Sequence, residues 1–147
     1  MKELPIFQPK GGPPQNPLPN PEIYTKMGEH GIFKMLEAFY LSLAQSKIRE
    51  LFPAEDPAQM MEASKRSAAF FVGVCGGPPL YQERFGPPMM RKRHMAFEID
   101  ETGRQEWLRC FKETLVDADQ KFGFPLEHLP GFLTWLEGFS GWMVNRE

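Results

Sequence analysis

The chain has 147 residues, 41% of them hydrophobic, 24% charged and 13% aromatic, a length that suits one compact domain able to bury roughly two-thirds of its unfolded surface without covalent staples. Seventeen Lys and Arg against nineteen Asp and Glu leave a net charge of −2, so neither nucleic acid nor an anionic membrane is the expected partner. The only cysteines, Cys75 and Cys110, exclude a disulfide scaffold and fit a reducing, cytoplasmic setting; no apolar run approaches the ~18 residues of a membrane span, and Met1-Lys2-Glu3-Leu4-Pro5 lacks the apolar core of a signal peptide.

Seven of the fifteen prolines fall within residues 1–22, with Gly11-Gly12 among them and few large apolar side chains. That composition predicts an extended Pro-rich N-terminal tail, followed by a domain over 23–147. The remaining prolines punctuate helices. Ile32, Leu36, Phe39, Tyr40 and Leu43 recur at intervals of three and four and predict an amphipathic helix over 31–45, after a turn through Gly28 and Gly31. Asp56-Pro57 supplies a cap and a first-turn proline for a second long helix over 57–74, with Met60, Ala63, Ser67, Phe70, Phe71 and Val74 facing inward until Gly76-Gly77-Pro78-Pro79 stops it. Gly86-Pro87-Pro88 precedes a short helical turn from Met89 to His94. Thr102, with Gln105 three residues on, has the capping-box pattern and opens a third long helix over 102–121, whose inner face carries Trp107, Leu108, Phe111, Leu115 and Ala118. After Gly123-Phe124-Pro125, a last helix over 126–144 presents Leu129, Phe132, Leu133, Leu136, Phe139 and Met143. No alternating strand pattern occurs, so the expected class is all-α.

Three histidines invite comparison. His30 and His128 read as boundary or surface residues, whereas His94 closes the basic turn Arg91-Lys92-Arg93 and runs directly into Met95, Ala96 and Phe97. A half-buried histidine bonded to a backbone carbonyl is one reading of His94 and a metal ligand is the other. No cysteine or second histidine stands near it in a zinc pattern, so a metal bound there must bring most of its own ligands. Haem does so, because the porphyrin supplies four nitrogens and needs one axial imidazole; without C-x-x-C-H such a haem is non-covalent.

Three separated runs carry a family resemblance: Gly76-Gly77-Pro78-Pro79-Leu80-Tyr81, then Gly86-Pro87-Pro88-Met89-Met90-Arg91-Lys92-Arg93-His94-Met95-Ala96-Phe97-Glu98-Ile99, then Arg104-Gln105-Glu106-Trp107-Leu108-Arg109-Cys110. With Phe39-Tyr40 and Leu51-Phe52-Pro53, and over about Tyr24 to Asn145, the chain resembles a truncated haemoglobin of group II. The resemblance implies a two-over-two helical sandwich around haem b. It implies His94 as the proximal iron ligand, Tyr40 and Trp107 as distal donors to a bound gas (O2, NO or CO), and Phe52 as the aromatic residue packed at the haem edge. Placing the second helix in register sets Ala63 at the pocket gate and Ser67 over the iron. Met60, Phe70, Phe71, Met90, Phe97, Phe111 and Leu115 are the expected apolar walls, and Arg66, Tyr81 and Arg93 the expected contacts of the haem propionates.

The second long helix contains no histidine, so the sixth iron position is expected to stay open. Two donors near a bound O2 imply slow release, which suits storage, sensing, NO dioxygenase or peroxidase chemistry better than delivery. A reductase for haem re-reduction and a homodimeric state are compatible with the resemblance, although no residue points to either. A haem-free helical interaction module docking through the Pro-rich tail is the competing expectation.

Overall fold

The computed structural model describes residues 17–146; the part of the expected Pro-rich tail before residue 17 lies outside them. Pro17 to Asn20 have no regular structure, yet Pro19 is buried, and a Cβ on Gly76 would lie 2.4 Å from Pro21 Cβ. The chain leading into the domain therefore packs onto the Gly76-Gly77 corner.

Helix α1 spans Glu22–Leu43, so it begins well before the expected start at residue 31. Gly28, at φ 69 and ψ 175, bends it without ending it. The segment before the bend stays helical because Ile23 and Met27 are buried against the core. Gly31 explains the second glycine, since a Cβ there would meet the Phe122 carbonyl oxygen at 2.6 Å. Helix α2, Pro57–Val74, has the expected bounds. Asp56 caps it, its carboxylate accepting from the Ala58 and Gln59 amides at 3.1 and 3.2 Å.

Between the long helices lie two short ones. Helix α3, Leu80–Phe85, was not signalled by periodicity; α4, Met90–His94, follows Met89 in the left-handed region at φ 42. Helix α5 covers Glu101–Thr114 and is capped by Asp100, which accepts from the Gly103 amide at 2.7 Å, rather than by the Thr102–Gln105 pair. It also stops before the expected residue 121, because Asp117 takes a left-handed conformation (φ 56) and starts a separate α6, Ala118–Phe122. A 3-10 turn over Leu126–His128 leads into α7, Leu129–Met143. The described residues contain no strand.

Helices α1 and α2 pack together, α5 packs on α7, and α1 joins the two pairs through α5. This two-over-two arrangement meets at Phe71 of α2, whose ring centroid lies 5.6 Å from Phe111 of α5 and 6.2 and 5.7 Å from Phe132 and Trp135 of α7. Each such side chain, fully buried, contributes roughly 1.5–3 kcal/mol of transfer free energy. Cys75 and Cys110 are buried free thiols, and burial pushes the Cys75 pKa up to about 12, which leaves it unreactive. No helix of the described residues is long and apolar enough to cross a membrane.

Candidate functional site

An isolated helix as short as α4 does not hold itself together, and it carries no side-chain cap. Arg93 supplies part of what is missing. Its guanidinium donates to the carbonyls of Pro88 (2.6 Å), Pro87 (3.0 Å) and Phe85 (3.4 Å), and lies 5.5 Å from the Tyr81 ring centroid. At the end of α4, His94 Nδ1 sits 2.6 Å from the Met90 carbonyl oxygen. A carbonyl only accepts, so Nδ1 carries the proton and Nε2 is the lone-pair nitrogen. Burial holds the imidazole below its ordinary pKa, opposed by the Met90 bond, so the ring is neutral. Nε2 makes no hydrogen bond to any described residue. His30 is exposed and His128 is bonded to Glu22 at 2.9 Å; neither reaches the same place.

His94 lines a cavity of about 370 Å³ between α1, α2, α3, α4, α5 and α7, a size within the range of small-molecule and cofactor sites. Tyr40, Phe52, Ala63, Arg66, Ser67, Phe70, Phe71, Tyr81, Met90, Arg93, Phe97 and Trp107 also line it. Three expected wall residues do not. Met60, Phe111 and Leu115 belong to the buried core and leave the lining to their neighbours. Phe111 is fully enclosed by Phe39, Phe71, Trp107 and Phe132, the nearest centroid at 4.1 Å. Helical spacing marked these residues as inward-facing but could not say which of the two interiors, core or cavity, they face.

The polar groups of the lining are few. Burial raises the Tyr40 phenol above its ordinary pKa, and the Ser67 hydroxyl beside it is a hydrogen-bonding neighbour that opposes the shift. Tyr40 is held edge-on by Phe39 and Phe52, at 5.7 and 5.8 Å. Trp107 packs on Phe39 at 5.3 Å; its indole N–H has no partner among the described residues and is not sealed inside the core. Tyr40 and Trp107 thus each combine a rigid ring with a hydroxyl or N–H group at the cavity wall.

Sequence reasoning missed Ile48, Leu51, Pro53, Ile99, Gly103, Arg104, Phe139, Ser140 and Met143 of the lining. Arg104 bridges α5 to α7, donating to Ser140 Oγ at 3.1 Å and the Glu137 carbonyl at 2.9 Å while pairing with Glu101 at 2.5 Å. Among the described residues, no carboxylate lines the cavity. Arg66 lies 5.1 Å from the Phe85 ring centroid, and neither it nor Arg93 forms an ion pair with a described residue.

This donor set fits one kind of group well. A single neutral imidazole nitrogen, aromatic walls and two arginines without acidic partners suit a flat apolar macrocycle that carries its own equatorial nitrogens and an acidic edge. A bare metal ion would find one ligand here where it needs about four.

Comparison with known proteins agrees. The family model described as bacterial-like globin matches residues 22–124. The group 2 truncated hemoglobin YjbI of Bacillus subtilis is 31% identical over 93 residues, 63% of this chain and 67% of that one. Two-on-two hemoglobin-3 of Arabidopsis thaliana is 27% identical over 101 residues, and the match spans only 58% of its length. Among solved structures, phosphate-bound Hell's gate globin IV superposes with a TM-score of 0.83 at 41% identity, covering 90% of this chain and 80% of that one. The group II truncated hemoglobin of Bacillus anthracis gives 0.74 at 27% identity, covering 86% and 92%. The chain therefore belongs to the bacterial-like globins and, within them, to the group II truncated haemoglobins, haem-based gas-binding proteins of two-on-two helical fold.

Proposed function

We propose that the chain holds haem b non-covalently through His94 and retains O2 by hydrogen bonds from Tyr40 and Trp107. The observation that carries this reading is the state of His94: its Nδ1–H is fixed on the Met90 carbonyl at 2.6 Å and its Nε2 is left unbonded at the wall of an apolar cavity. When bound, haem supplies an iron with an open position for a diatomic gas. The protein's own side chains do the rest. Arg66 and Arg93, with Tyr81 beside them in the lining, would receive the acidic edge. Phe52, Phe70, Phe71, Met90 and Phe97 exclude water from the macrocycle. His94 is the one histidine in the lining, so no second imidazole competes with the gas for the open position.

Tyr40, supported by Ser67, and Trp107 aim donors at a ligand that carries partial negative charge, while small Ala63 leaves its passage open. Retention of this kind suits storage, sensing or oxidation of NO by the retained gas more than delivery. The test is the ferrous, gas-free absorption spectrum of the haem-loaded protein, with a His94→Gly variant beside it. A five-coordinate high-spin spectrum, lost in His94→Gly and restored by added imidazole, is the expected result. A six-coordinate low-spin ferrous spectrum, or a His94→Gly spectrum identical to that of the parent, would refute it.

A further inference from the structure

Arg93 ties α4 to the preceding loop, and its bonds go to Phe85, Pro87 and Pro88 rather than to the turn that follows His94. Residues from the far end of α7 hold that turn. Asn145 is 4% exposed, and it makes four hydrogen bonds to the segment from His94 to Ile99. Its side-chain nitrogen donates to the His94 carbonyl at 3.2 Å and to the Phe97 carbonyl at 2.9 Å. Its side-chain oxygen accepts from the Ile99 amide at 3.0 Å, and its own amide donates to the Ile99 carbonyl at 2.9 Å. The Arg146 amide adds a bond to the same carbonyl at 3.1 Å. On the other face of α4, Arg91 donates to the Trp142 carbonyl and, at 2.9 Å, to the Val144 carbonyl, with its guanidinium 4.6 Å from the Trp142 ring centroid.

We propose that Asn145, assisted by Arg91, is a positioning residue for His94: a clamp from the end of α7 that fixes the backbone on either side of the imidazole and so sets where its Nε2 stands in the cavity. The proposal rests on His94 being the axial ligand. Its chemistry is specific to an amide. Only Asn offers two donors and an acceptor from one short planar group, and here the donors face two carbonyls while the acceptor faces an N–H. A carboxylate in its place keeps the bond to Ile99 and sets a negative oxygen against the carbonyls of His94 and Phe97. A merely space-filling residue would not distinguish these cases.

The test compares Asn145→Ala, Asn145→Asp and Arg91→Lys with the parent, and uses Thr114→Ala as a control for general destabilisation. Thr114 is a buried hydroxyl bonded to its own helix at Cys110, 2.9 Å away. Two readouts apply to the full chain: amide hydrogen exchange of residues 94–99 in the haem-free and haem-loaded protein, and the iron–histidine stretching band of the ferrous protein. Both Asn145 variants should speed exchange across 94–99 about tenfold or more, a loss equivalent to about 1.4 kcal/mol, and shift the band. The Asp variant should be at least as severe as Ala, and Thr114→Ala should do neither. Unchanged exchange and an unmoved band in both Asn145 variants would overturn the clamp, as would an equal shift in Thr114→Ala. Should Asn145→Ala fail to fold, Asn145→Asp and Arg91→Lys carry the same measurements, and parent-like exchange in both overturns it too. Absence of any iron–histidine band in the parent refutes the His94 assignment instead, so the two failures are distinguishable.

Discussion

Replacing Tyr40 by Phe removes one oxygen and little else. The ring stays wedged edge-on between Phe39 and Phe52, at 5.7 and 5.8 Å, so the cavity keeps its shape and the change isolates the hydroxyl. A neutral hydrogen bond contributes about 1 kcal/mol net, and one to a charged partner up to about 3. A dioxygen ligand bears partial charge, so a loss of about 1–2 kcal/mol is expected. That corresponds to O2 leaving roughly five to thirty times faster. Ser67 lines the cavity beside Tyr40, so Ser67→Ala alone should have a smaller effect in the same direction and almost none once Tyr40 is Phe. Stopped-flow replacement of O2 by CO measures the release rate. CO release serves as the internal control, because CO accumulates little charge and its rate should barely move. An O2 release rate unchanged in Tyr40→Phe, or CO and O2 rates rising by the same factor, would refute the assignment of Tyr40 as a donor.

Three further outcomes are expected. Trp107→Phe should also speed O2 release several-fold, and the double variant with Tyr40→Phe should exceed either single one; stopped-flow traces of the three variants decide it. Asp56→Ala removes the only side-chain cap of α2 and should cost about 1 kcal/mol, seen as a melting temperature about 4 °C lower, with O2 release unaffected. The Glu106 carboxyl is held down at about 2, from an ordinary 4.5, by the Arg109 guanidinium (2.6 Å) and by the Lys47 amide (3.0 Å). A depressed carboxyl stabilises the fold above its unfolded pKa and loses that contribution as pH falls through the folded value, so melting temperatures measured from pH 5 down to 2 should fall less steeply in Glu106→Gln than in the parent.

The elements legible in the sequence are those whose ends are marked by local chemistry. Asp56-Pro57 and Gly76-Gly77 bracket α2 so firmly that its expected and observed bounds coincide. The start of α1 was masked because Gly28 reads as a terminator, whereas burial of Ile23 and Met27 keeps the chain helical across the bend. Helix α3 has six residues between Gly/Pro corners, too few for a period to show. The end of α5 depends on one left-handed residue, Asp117, at which no side-chain pattern points. For the cavity, the separated runs of the resemblance and the second-helix pattern named His94 together with Tyr40, Phe52, Phe70, Phe71 and Trp107, all of which line it. Arg104, Ser140 and Asn145 escaped because their roles come from contacts between residues 33 to 51 positions apart, which no window along the chain can display.

The hydrogen bond from His94 Nδ1 to a backbone carbonyl, 2.6 Å away within its own helix, bears on the oxygen chemistry that a haem held by His94, as proposed, would perform. A carboxylate in that position would draw the ring toward imidazolate and raise its basicity as a ligand, feeding electron density to the metal and favouring rupture of an O–O bond. A carbonyl carries no net charge and leaves the imidazole a modest donor. No carboxylate of the described residues lines the cavity to substitute for it. On the proposed ligation by His94, such a proximal side would give weak electron push and would favour retention of a diatomic gas over cleavage of peroxide.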